Sequence, residues 1–121
     1  MSEIRLVTIT DTITLTELAE IAEGSFGDLV KAVVDIDQRR MAIGGELHAD
    51  EEHILIEGGS KQPNLWGINL YPAEHGTENW LEYDSMINLR PSQKNRSRSV
   101  EDPKIREIIA EIVEQLVATN D

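Results

Sequence analysis

The chain is predicted to adopt an α+β fold, a two-layer sandwich of a mostly antiparallel sheet of about five to six strands with two helices on one face. Three observations lead there. Two amphipathic helical patterns bracket the chain, one after Thr14 and one after Asp102. Between them run short β-branched segments joined by turn residues, the pattern of a meander. At 121 residues and 40% hydrophobic content the chain can fill one core and is too short for two. Residues 1–121 therefore read as one globular domain in the order strand, helix, strands, helix.

Ile4 to Ile9 is the expected opening strand, rich in β-branched residues. Thr14-Leu15-Thr16-Glu17 is a capping box, in which the Thr14 hydroxyl accepts from the Glu17 amide and the Glu17 carboxylate accepts from the Thr14 amide. Ile13 and Leu18 are placed as its hydrophobic staple. The helix shows Leu15, Leu18, Ile21 and Ala22 on one face and is expected to stop at a left-handed Gly24. Leu29 to Asp37 and Met41 to Ala49 read as two strands of a hairpin turning at Asp37–Arg40. His53 to Glu57 reads as a short strand after the charged turn Asp50-Glu51-Glu52. Gly58 to Asn64 is a loop by composition. Leu65 to Tyr71 and Trp80 to Leu89 are read as further strands, and Arg90 to Val100 as a loop. Asp102-Pro103 then supplies an N-cap and a first-turn proline, followed by the helical stripe Ile105, Ile108, Ile109, Ile112, Val113, Leu116 and Val117.

Side chains alternate across a strand, so parity sorts them into faces. Met41, Ile43, Trp66, Ile68 and Leu70 fall on an apolar set that suits packing beneath the helices. The opposite face would gather Glu46, His48, Asn69, Asp84, Asn88 and Arg90, with a shallow trough at Gly44 and Gly67. An antiparallel sheet often leaves one polar face in water; the other reading of this set is a functional surface.

Charge points to the same end of the molecule. Residues 1–89 carry five basic side chains against 17 acidic ones, which accounts for the whole formal charge of −12, whereas residues 90–121 balance. Arg90, Lys94, Arg96 and Arg98 fall within nine residues with no acid among them. Arginine forks match carboxylate and phosphate oxygens, Ser97 adds a hydroxyl, and the amides at the start of the following helix favour negative charge. Asn88, Arg90, Lys94, Arg96, Ser97 and Arg98 are accordingly the candidate ligand-binding residues for a small anion. Glu101 and Asp102 compete for the same donors, and pairing of the loop with acids of its own fold is the alternative. Docking of the loop on an acidic face of a second copy, giving a homodimer, or of another protein is a third reading.

Glu46, His48 and Asp50, with Asp84 from a neighbouring strand, form a nitrogen and oxygen set that would suit a divalent metal and a metal-dependent hydrolase. Alternate side chains on a strand lie nearly 7 Å apart, so one ion could be reached only through a bulge or bend. No catalytic residue follows from the sequence. Gly58-Gly59-Ser60-Lys61 lacks the order of a phosphate-binding loop, and neither a Gly-x-Ser-x-Gly elbow nor a His-Glu-x-x-His pair occurs.

The charge of −12 opposes binding to nucleic acid or anionic lipid. No apolar run approaches the ~20 residues of a membrane span. With no cysteine and no leader pattern after Met1, a cytoplasmic protein is expected. The segments Lys31-Ala-Val-Val-Asp-Ile, Gly44-Gly-Glu-Leu-His-Ala-Asp-Glu-Glu, Leu65-Trp-Gly-Ile-Asn, Ile87-Asn-Leu-Arg-Pro-Ser-Gln, Asn95-Arg-Ser-Arg and Val100-Glu-Asp-Pro-Lys-Ile-Arg resemble a family of small prokaryotic proteins without an assigned activity. The resemblance covers most of the chain and carries over no catalytic residue.

Overall fold

The computed structural model describes residues 3–119. Strand β1 (Arg5–Val7) leads to a short strand β2 (Ile13–Thr14) and helix α1 (Leu15–Glu23). The capping box forms as expected, with Glu17 N donating to Thr14 Oγ1 and Thr14 N to Glu17 Oε1, each at 3.0 Å. Such a cap contributes about 1 kcal/mol. Arg5 also donates to Glu17 at 2.9 Å, tying β1 to the start of α1. The helix ends at Gly24, but Gly24 is right-handed with φ −78°; the left-handed glycine is Gly27, at φ +93°.

Strands β3 (Val30–Asp35) and β4 (Arg40–Ile43) form the expected hairpin. Asp35 builds its turn: Oδ1 accepts from the amides of Asp37 and Gln38 at 2.9 and 3.0 Å, and Oδ2 accepts from Ser60 Oγ at 2.5 Å. Strand β5 (Leu65–Leu70) pairs with β3 along its whole length, and β6 (Leu81–Glu82) closes the sheet. The order is β1-β4-β3-β5-β6, and every neighbouring pair is antiparallel. Helix α3 (Pro103–Leu116) starts at Asp102, whose Oδ1 accepts from Lys104 N at 2.9 Å, with Pro103 in the first turn. It runs into β7 (Val117–Ala118), which pairs with β2 in a small parallel sheet. The α+β class and the antiparallel sheet agree with the reading from sequence.

Parity held where strands formed. Ala32, Val34, Met41, Ile43, Trp66, Ile68 and Leu70 pack with Leu18 and Ala22 of α1 and with Ile109, Ile112, Val113 and Leu116 of α3. Burial of each large side chain contributes about 1.5–3 kcal/mol, so this face holds most of the core.

The other face differs from expectation. Met41–Ala49 is not one strand and His53–Glu57 is not another. The chain leaves β4 at Gly44, which is left-handed at φ +88°, and enters helix α2 (His48–Glu57). Leu55 of α2 packs with Val33, Ala42 and Leu65 on this second face. Trp80–Leu89 likewise supplies only the two residues of β6. Ser85 then caps a 3-10 turn at Met86–Asn88, its Oγ accepting from Ile87 N at 3.2 Å. The trough expected at Gly67 is filled by this segment: a Cβ on Gly67 would lie 2.5 Å from Ser85 Cβ. At Gly45 a Cβ would lie 2.9 Å from Glu51 Cγ, so that glycine lets α2 approach the sheet.

Candidate functional site

The basic loop is a built structure rather than a free arm. Arg90 and Asn95 close it through a backbone bridge, Arg90 N to Asn95 O at 2.8 Å and Asn95 N to Arg90 O at 3.1 Å. Lys94 turns the chain at φ +62°. Inside, the buried Asn95 amide donates to the carbonyls of Asn88 and Ser99 at 2.7 Å and of Ser97 at 3.2 Å, and its Oδ1 accepts from Glu101 N at 2.8 Å. Asn88 clamps the loop to β5, accepting from Gly67 N at 2.9 Å and donating to Gly67 O at 3.0 Å and Arg98 O at 2.9 Å. Four backbone carbonyls take up the Arg90 guanidinium, those of Ile87, Gln62, Pro63 and Leu65. It also lies 4.4 Å from the Trp66 ring centroid. Burial lowers its pKa from the usual arginine value, and carbonyl oxygens rather than a ligand satisfy the charge.

Asn88 and Arg90 are thus scaffold. Ser97 Oγ accepts from Ser99 N at 3.2 Å, and Arg96 N donates to Glu101 Oε2 at 3.0 Å. The start of α3 is occupied by its own Asp102, as the competing acids had suggested. The Lys94 and Arg96 side chains are exposed and make no ion pair among the described residues. Arg98 reaches away from α3 to the polar side of the sheet. Its Nε donates to Asp84 Oδ1 at 2.8 Å and its Nη2 to Asp84 Oδ2 at 3.4 Å.

That pair lies on a cleft of about 580 Å³ between the second face of the sheet, the start of α2 and the segment 84–87. Volumes in this range suit a small ligand. Of the polar-face set, His48, Asn69 and Asp84 meet here, joined by Lys31, Tyr71, Glu82 and Arg98. Glu46 and Asp50 are exposed near the start of α2 and do not line the cleft. Glu46, His48 and Asp50 therefore do not run along one strand. Among the described residues no group of three or more His, Cys, Asp or Glu side chains is arranged to hold a metal ion.

The floor of the cleft is ordered. Asn69 Nδ2 donates to Glu82 Oε1 at 2.8 Å and to Asp84 O at 3.2 Å, and Tyr71 OH donates to the same Glu82 oxygen at 3.1 Å. Asn69 Oδ1 is buried without a hydrogen-bond partner. His48 Nε2 lies 2.8 Å from Ile68 O, so that nitrogen carries the proton and donates, leaving Nδ1 as the acceptor of the neutral ring. Burial lowers the His48 pKa, and Lys31 adds to the effect; the Ile68 carbonyl, Asp84 and the Asn69 side chain oppose it. Lys31 Nζ sits 4.9 Å from the Phe26 ring centroid and makes no ion pair among the described residues. Phe26, Leu47 and Met86 form an apolar rim at 43, 56 and 63% exposure. A fixed guanidinium, an ammonium, a fixed carboxylate and an apolar edge can orient a small polar molecule.

The profile of one protein family, described as "Protein of unknown function (DUF5674)", matches residues 7–116. The chain belongs to that family. The matched span takes in α1, the sheet from β3 to β6, the cleft and all of α3. No curated protein and no solved structure matches the chain. The match takes in every segment on which the resemblance was read, Lys31–Ile36, Gly44–Glu52, Leu65–Asn69, Ile87–Gln93, Asn95–Arg98 and Val100–Arg106, and agrees with it in a family without an assigned activity.

Lys31, Glu82 and Tyr71 were missed as site residues from the sequence. Tyr71 and Glu82 share the parity of Asn69 and Asp84, but only the strand register brings Lys31 and Glu82 to either side of Asn69. Lys31 stands opposite Asn69, and Asn69 stands opposite Glu82, across three adjacent strands.

Proposed function

We propose that the protein binds a small molecule bearing a carboxylate or phosphate in the cleft on the second face of the sheet. Arg98 is the principal anion partner and Lys31 the second. The observation that carries the reading is the position of Arg98. Its guanidinium is held by Asp84 through Nε and Nη2 and faces a cleft of ligand size, while Arg90 and Asn88 are consumed by backbone groups. A guanidinium pre-oriented by a carboxylate loses less freedom on binding than a free side chain. Its unbonded Nη1 edge can donate to a ligand oxygen.

This reading puts the anion on the side of the loop away from the start of α3. A thermal-shift panel of small carboxylates and phosphates at millimolar concentration tests it, since a ligand that binds the folded state raises the melting temperature. Active ligands are expected to lose their shift in Arg98→Ala and to keep it in Arg96→Ala. A shift lost in Arg96→Ala and kept in Arg98→Ala would return the site to the α3 side.

A further inference from the structure

Lys31, Asn69 and Glu82 are consecutive partners on β3, β5 and β6, so their side chains form a row on one face of the sheet. Adjacent strands lie about 4.8 Å apart, which places the two charged ends of the row about 10 Å apart at the backbone. Both side chains are long enough to converge over Asn69 from there. The row is positive at one end, amide in the middle and negative at the other. All three residues line the cleft.

The negative end is an exposed acid whose carboxylate is held in place by two hydrogen bonds. Glu82 Oε1 is fixed by Asn69 Nδ2 and Tyr71 OH, while Oε2 has no partner and no cation pairs with it among the described residues. Asp84, the other acid of the cleft, is paired with Arg98 through Nε and Nη2, which leaves Nη1 of Arg98 to donate to a ligand. A simple anion would gain Lys31 and Arg98 but would face the unpaired charge of Glu82. A ligand with both signs meets the whole set. Phe26, Leu47 and Met86 at the rim add an apolar surface with nothing polar to satisfy.

Resting on the reading of this cleft as the ligand site, we infer that the ligand is a small zwitterion with an apolar substituent, of the class of a free α-amino acid. Its carboxylate meets Arg98 and Lys31, its ammonium meets Glu82 Oε2, and its side chain lies along Phe26, Leu47 and Met86.

Calorimetric titration of the full-length protein with leucine, 4-methylpentanoate and 3-methylbutylamine separates the two charges on one carbon skeleton. Leucine is expected to bind roughly ten-fold or more tighter than either single-charge analogue, because one charge-assisted contact is lost in each. Glu82→Gln keeps an oxygen for Asn69 and Tyr71, so the variant is expected to fold. In it the advantage of leucine over 4-methylpentanoate disappears. Arg98→Ala weakens leucine and 4-methylpentanoate alike. If 4-methylpentanoate binds wild type as tightly as leucine, and Glu82→Gln does not weaken leucine, the zwitterion inference fails while the anion reading stands. If the amine alone binds tightest, both fail; if no compound binds up to about 10 mM, the zwitterion inference fails and the anion reading rests on the thermal-shift panel.

Discussion

Glu51 is the residue whose chemistry departs furthest from its surroundings. It is fully buried on the inward side of α2, and burial pushes its carboxyl up to about 9. Gly45 N donates to its Oε2 at 2.8 Å, while its Oε1 has no partner. At neutral pH the group is therefore a protonated acid. A folded pKa above the unfolded value means that stability is fully present below the unfolded value and is lost as pH rises through the folded one. Between the ordinary glutamate value of 4.5 and about 9, each pH unit removes about 1.4 kcal/mol. Glu51→Gln preserves the acceptor for Gly45 N and removes the titration. The variant is expected to gain on the order of 3 kcal/mol at pH 7 and to lose the decline in stability between pH 5 and 9. Urea melts across that range check it, and a pH profile unchanged by the substitution would show that Glu51 is ionised in the fold. Glu51 ties α2 to Gly45 and does not line the cleft, so it is read as a structural acid.

At the scale of elements, the loop 90–99 stands on two buried amides. Asn95→Asp replaces the donor to Asn88, Ser97 and Ser99 with a carboxylate facing three carbonyls. It is expected to cost about 3 kcal/mol or more. Amide exchange should accelerate across Arg90–Ser99 while α1 stays protected; exchange unchanged in the loop would mean that Asn95 does not hold it. The elements legible in the sequence were those with chemical punctuation. Thr14 and Glu17 mark α1, Asp102 and Pro103 mark α3, and the hairpin turn follows β-branched runs. Helix α2 was not legible because its inward positions are His48, Glu51 and Leu55, two of them polar, while Ile54 and Ile56 are exposed. An amphipathic template looks for the reverse. The signals that could have found it were Asp50 and Glu51 in a first turn and Gly58 at its end. Tyr83 to Leu89 alternated like a strand, but Ser85 and Asn88 spend their side chains on local backbone and on Gly67, which ends the pairing after Glu82.

For the whole molecule, the contrast between an acidic body and a basic loop resolves into three different uses of positive charge. Arg90 is buried to hold carbonyls, Arg98 pairs with Asp84 on the cleft, and Lys94 and Arg96 remain in solvent. Of the polar face read from parity, His48, Asn69 and Asp84 line one cleft, but His48 arrives there from a helix, Asn88 is buried against β5, and Glu46 lies outside. What sequence could not supply was the third layer, since α2 and the segment 83–89 turn an open sheet face into a cleft. The central claim is that this cleft, and not the start of α3, receives the ligand. Amide chemical-shift mapping during titration with a ligand from the thermal-shift panel tests it most directly. The account predicts perturbations centred on Lys31, His48, Asn69, Glu82 and Arg98; shifts confined to Lys94–Ser97 and Pro103–Arg106 would contradict it.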